Sequence, residues 1–120
     1  MSRDRRRFAI VLASILGVTP IAAAQSAFDG AYSGQRTIVA DRSHRIEDRC
    51  QAGAIRFTVQ NGRFPWRVPY IAEFTIPVGS DGSFGAHAAS YEFSGKITGG
   101  HMTANSQTTV CSFHFEATKQ

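Results

Sequence analysis

The stretch Ala54-Ile55-Arg56-Phe57-Thr58-Val59-Gln60-Asn61-Gly62-Arg63-Phe64 decides the fold. Ile55, Phe57 and Val59 alternate with Arg56, Thr58 and Gln60. That is the period-2 pattern of a strand with one face on a core and the other in water. Asn61-Gly62 follows at once, and both residues tolerate the positive φ that a type I′ turn requires at its two centres. Arg63-Phe64 is therefore expected to begin a return strand. The unit is a β-hairpin.

The same pattern repeats on either side. Ala31 to Val39 reads as a first strand after Phe28-Asp29-Gly30. Glu73 to Val78 alternates with Phe74, Ile76 and Val78 on one face, and Pro77 marks a sheet edge or a strand end. Asp81-Gly82 leads into Phe84, Ala86 and Ala88. Ser90 to Thr98 turns Tyr91, Phe93, Gly95 and Ile97 inward, and Gly99-Gly100 reverses the chain into His101 to Thr108. Cys111, Phe113, Phe115 and Ala117 share a last inward face. The expected fold class is all-β: a single antiparallel meander of seven or eight strands, forming a small barrel or a barrel-like sandwich. A meander of that size closes or folds on itself to remove its edges. Asp41 to Arg49 lacks period 2 and reads as a long polar loop rather than as a helical turn carrying Arg42, Arg45 and Arg49 on one side.

Composition points the same way. Leu12 and Leu16 are the only leucines, so residues 25–120 contain none, while they hold eight of the nine phenylalanines. Leucine is a leading helix former, whereas β-branched and aromatic residues suit a half-buried pleated surface. The 120 residues suffice for one domain and exclude a dinucleotide-binding enzyme fold, a repeat array or a multi-span membrane protein.

Residues 1–24 read as a cleaved signal peptide. Ser2 to Arg7 is basic, Phe8 to Val18 is apolar, Thr19-Pro20 breaks the helix, and Ala22-Ala23-Ala24 supplies small residues for cleavage. The apolar run is too short for a stable membrane anchor. Arg5-Arg6-Arg7-Phe8 resembles a twin-arginine motif, but the general secretory route is the expected one. The domain then spans residues 25–120, in the periplasm or outside the cell, with no membrane anchor after cleavage. Four of the 13 basic residues leave with the signal, and the formal charge falls from +4 to about +1. No nucleic-acid partner is expected at that charge.

Two cysteines in an exported chain read as one disulfide, Cys50–Cys111. They lack the added ligands of a metal site, and His44, His87, His101 and His114 have no zinc-like spacing, so neither metal nor cofactor is expected. No Gly-x-Ser-x-Gly, phosphate loop or dinucleotide fingerprint occurs, and the adjacent Glu47-Asp48 is the one carboxylate pair. Catalytic residues are not expected, and the chain reads as a non-enzyme.

The segment Phe64-Pro65-Trp66-Arg67-Val68-Pro69-Tyr70 remains. It gathers the single tryptophan, a tyrosine, an arginine and two prolines, which cannot serve a central ladder and put part of it at a sheet edge or in a loop. Trp, Tyr and Arg are the types enriched at binding hot spots, and a tryptophan here can equally plug one end of a barrel. Trp66, Arg67 and Tyr70, with Arg42, Arg45 and Arg49 of the polar loop, are the candidate binding residues. The expected function is a periplasmic protein-binding or inhibitor-like module, its partner an unidentified periplasmic or extracellular protein. The alternative is a carrier of a small apolar ligand inside the barrel.

The order of motifs adds a resemblance. Phe28-Asp29-Gly30-Ala31-Tyr32-Ser33-Gly34 is followed by Cys50, by Asn61-Gly62 and Asp81-Gly82, and by Gly95-Lys96-Ile97-Thr98-Gly99-Gly100. Cys111-Ser112-Phe113-His114-Phe115-Glu116-Ala117-Thr118-Lys119 ends the series. This resembles small exported proteins of alphaproteobacterial type, which open on Phe-Asp-Gly-x-Trp/Tyr and close on Cys-x-x-aromatic. The chain departs from them at Tyr32 and Phe115, where tryptophan is frequent, and at Glu116. The resemblance implies export and this fold. It implies no activity and no site.

Overall fold

A computed structural model describes residues 27–120; the expected signal segment, residues 1–24, lies outside them. Eight strands follow one another: β1 Gly30–Asp41, β2 Gly53–Val59, β3 Arg63–Val68, β4 Ala72–Pro77, β5 Ser83–Ala88, β6 Tyr91–Thr98, β7 His101–Gln107 and β8 Cys111–Lys119. Every pairing is antiparallel. Six strands form one curled sheet in the order β2-β1-β8-β7-β6-β5, and β3–β4 is a separate two-stranded sheet. The first and last strands meet, from Tyr32↔Lys119 to Asp41↔Cys111. The result is a half-barrel with a hairpin packed into its concave side. Among the described residues, no helix is long and apolar enough to cross a membrane.

Two prolines explain why the barrel stays open. The β2–β3 turn closes with one bridge, Gln60↔Arg63, joined by N–H···O bonds of 2.8 and 3.3 Å. Alternation then aims the backbone of residues 63, 65 and 67 at β2. Pro65 occupies the next rung, opposite Thr58, and has no N–H to give. The β4–β5 turn starts the same way, with Gly79 N–H donating to the Ser83 carbonyl at 2.8 Å. Pro77, two residues further in, again faces the seam without a donor. Each edge of the β3–β4 hairpin is thus released one rung beyond its turn.

The turns follow the local chemistry. Asn61 (φ 55°) and Gly62 (φ 73°) both take positive φ, as do Gly99 (57°) and Gly100 (75°), the two-residue I′ geometry. The Asp81-Gly82 turn is longer: Gly82 N–H donates to Gly79 O at 2.9 Å, and Gly82 alone has positive φ. Asp29 of the opening Phe-Asp-Gly motif accepts the Asn61 and Gly62 amides at 2.9 and 3.0 Å, so it caps the first hairpin. Residues 42–52 form the expected long loop, with a single 3-10 turn at Ile46–Asp48 holding Glu47-Asp48.

Aromatic side chains pack much of the interior. Phe57, Phe64, Phe84, Phe93 and Phe115 are buried with Tyr32, Ile97 and Met102. Each such side chain contributes roughly 1.5–3 kcal/mol by leaving water. Phe84 faces Gly95 across the β5–β6 ladder. A Cβ at Gly95 would meet the Phe84 ring at 2.6 Å, so the glycine makes room for the aromatic.

Candidate functional site

The two ends of the half-barrel differ. One carries the Gly-centred turns at 61–62, 81–82 and 99–100; the other carries the 42–52 loop, the Pro69–Ile71 turn, residues 89–90 and the 108–110 turn. The expected disulfide Cys50–Cys111 is present at this second end, with 5.7 Å between Cα atoms. Asp41 braces it. Its Oδ1 accepts the Ser43 amide at 2.9 Å and its Oδ2 accepts the Cys50 amide at 3.1 Å, so one carboxylate holds both ends of the loop.

The hydrogen bonds from the Ser43 hydroxyl and amide lead in holding the Asp41 carboxyl below its ordinary value of 3.8. A lowered carboxyl stabilises the fold above that value, and the contribution is lost as pH falls through the lower, folded one. Asp41→Asn is therefore expected to destabilise at pH 7, with the gap from wild type closing below pH 3.8. Denaturant midpoints at several pH values check this; a gap independent of pH contradicts it.

The candidate arginines of the loop do different work. Arg42 donates from Nη2 to Thr108 O and Ser112 Oγ, both at 3.0 Å, and from Nε to Thr109 O at 3.2 Å, clamping the β7–β8 turn. Arg45 pairs with Glu47 at 3.8 Å on the open surface. Arg49 is exposed, and its charge is among the smaller causes that lower Asp41.

Trp66 lies on the inward face of β3. Its ring stacks on Phe93 at 4.5 Å and meets Phe115 edge-on at 5.3 Å. Its Nε1–H donates to the Tyr91 hydroxyl at 3.0 Å. Burial, first of all, raises the pKa of Tyr91, and Ser106 lies against the same hydroxyl. Above this floor the β2–β3 seam opens into a cleft of about 460 Å³, walled by Ile55, Val68 and Phe113, with Arg36, Arg56, Arg67 and Glu73 around it. The size falls within the roughly 300–1,000 Å³ usual for small-molecule sites.

Arg67 joins Trp66 at the cleft, whereas Tyr70 does not line it. Tyr70 sits fully exposed at the tip of the β3–β4 turn with φ 67°. Ile71 N–H donates to Val68 O at 3.1 Å across that turn. Pro69 and Tyr70 thus take the two centres of a type II turn, whose second centre favours glycine.

Arg36, Tyr91, Ser106 and Phe113 are cleft residues that the sequence reading does not single out. A signal for Arg36 exists: it follows Tyr32 and Gly34 in period 2, which puts a charge on the inward face of β1. The histidines point elsewhere. His87 lies 3.5 Å from Glu92, and His101 and His114 lie 3.3 and 3.8 Å from Glu116. Among the described residues no three His, Cys, Asp or Glu side chains converge as a metal site. No family model, curated protein or solved structure matches the chain.

Proposed function

We propose that the chain is an exported, non-enzymatic binding module that meets a protein partner with the loop end of its half-barrel. One observation carries the reading. The exposed large apolar side chains Ile38, Val39, Ile46, Tyr70 and Ile71 all belong to that end. Val39 is the extra residue of a β-bulge between Ile38 and Ala40, which turns it out of the ladder. Tyr70 holds a left-handed conformation that costs a non-glycine residue about 1–2 kcal/mol, yet it buries nothing. A costly, fully exposed aromatic is accounted for by contact with a partner. The disulfide suits an oxidising compartment, as export implies.

Placing a photo-crosslinking side chain at position 70, and in a second version at position 99 on the opposite end, tests this in exported protein. A discrete adduct from position 70 and none from position 99 is expected. Adducts of equal yield from both, or none from position 70, contradict the reading. Tyr70→Asn, whose side chain tolerates the left-handed region, is expected to leave the melting temperature unchanged or raise it while the partner is lost; a clear drop in melting temperature contradicts the assignment.

The second reading, carriage of a small ligand, is favoured by the Trp66 cleft. The ligand would enter at the open β2–β3 seam and lie against the inward side chains of the loop end.

A further inference from the structure

The period of β1 before its bulge turns one charged side chain, Arg36, toward the concave face. Its guanidinium carbon lies 5.0 Å from the centre of the Phe113 ring. Its Nε donates to Gln51 O at 2.9 Å, which ties down one of its five N–H groups. Among the described residues neither Nη group has a hydrogen-bond acceptor, and no carboxylate lies within ion-pair distance of Arg36, Arg56 or Arg67. The guanidinium is thus oriented by Phe113 and Gln51, with its two terminal nitrogens left for something else. The surrounding wall is apolar, and three arginines outweigh the single acid, Glu73.

A planar fork of free donors beside an apolar wall fits one kind of ligand. Arginine recognises carboxylates through paired N–H···O bonds, and Trp66, Val68 and Ile55 offer a surface for a hydrocarbon or aryl body. We propose that the cleft binds a small amphipathic carboxylate. The carboxylate takes the Nη groups of Arg36; Arg56 and Arg67, exposed at the seam, add positive charge near its mouth, and the apolar body lies on Trp66. This inference rests on the carrier reading and adds the charge of the ligand to it.

Trp66 is the only tryptophan and forms the floor of the cleft, so its fluorescence reports occupancy directly. The probes are decanoate, decanol and decyltrimethylammonium, each kept below its micellar concentration and applied to the disulfide-bonded protein. Decanoate is expected to shift the emission saturably and to bind about tenfold or more tighter than decanol, the scale of one charged hydrogen bond. Decyltrimethylammonium is expected to bind more weakly than either. Arg36→Gln should remove the preference for decanoate over decanol while preserving decanol binding. Because the head-group comparison on wild type needs no variant, a poorly folding Arg36→Gln does not spoil the test. Equal affinity for decanoate and decanol overturns the carboxylate inference and leaves the carrier reading standing. No saturable shift with any probe overturns both. Tyr70→Asn should leave decanoate affinity unchanged; a loss there contradicts the separation of the cleft from the protein-binding tip.

Discussion

Replacing Cys50 and Cys111 together by serine is expected to cost the domain about 4 kcal/mol. The bridge closes a loop of 61 residues, and the chain-entropy benefit grows with the logarithm of that length. Against a total stability of roughly 5–15 kcal/mol for a domain this size, such a loss removes a large share. The native side adds to it. Cys50 is buried, and its amide bonds to Asp41, so serine would leave a hydroxyl in a space shaped for sulfur. The whole loop end should loosen first, because the β1 terminus, the 42–52 loop and the β7–β8 turn meet there. Urea denaturation of the oxidised wild type and the double variant checks the figure. A change under about 1 kcal/mol would contradict the account, since it would leave the bridge below its expected range of about 2–4 kcal/mol.

Trp66→Ala is expected to cost about 3 kcal/mol, the lower end of the usual range of about 3–5 for a core tryptophan. The lower end applies because Trp66 is half-buried. The loss has two parts. The stack on Phe93 and the edge contacts to Phe57, Phe64 and Phe115 vanish, which unseats the β3–β4 hairpin from the sheet. The buried Tyr91 hydroxyl also loses its Nε1–H donor and retains only Ser106 beside it. Trp66→Phe keeps much of the first and none of the second, and should cost about 1 kcal/mol, the worth of one net hydrogen bond. At roughly 4–8 °C per kcal/mol for a domain of this size, the two variants separate cleanly in a thermal melt. A Trp66→Ala protein that melts with the wild type would show that the hairpin does not depend on its tryptophan.

The strands were legible because their signals are local. Period-2 alternation around Phe57, Phe93 and Phe115 sets the inward face, and Asn61-Gly62 and Gly99-Gly100 set the hairpin register without reference to the rest of the chain. The Cys50–Cys111 pairing was legible for a different reason: an expected signal segment implies an oxidising compartment, where two lone cysteines read as partners. The opening of the barrel is not legible in the sequence, although Pro77 and the prolines of the 64–70 segment all mark an edge, a strand end or a loop. It depends on which neighbour each missing N–H faces, and that requires the register of two successive hairpins. The cleft was harder still. Arg36 and Phe113 come from β1 and β8, which meet only when the meander returns on itself. Arg42 was grouped with Arg45 and Arg49 by composition, yet its donors meet the carbonyls of Thr108 and Thr109, a contact that no local pattern announces.

Amide hydrogen exchange along β2 tests the half-barrel most directly. Ile55, Phe57 and Val59 turn their N–H groups to β1, where they are paired with Gly34, Tyr32 and Gly30. Arg56 and Thr58 turn theirs to the β2–β3 seam, where Pro65 stops the ladder after the Gln60↔Arg63 bridge. The account predicts an alternating pattern: slow exchange at 55, 57 and 59, fast exchange at 56 and 58. Uniformly slow exchange from 55 to 59 would mean that β2 and β3 are joined in a closed barrel, with no open seam for the cleft to occupy.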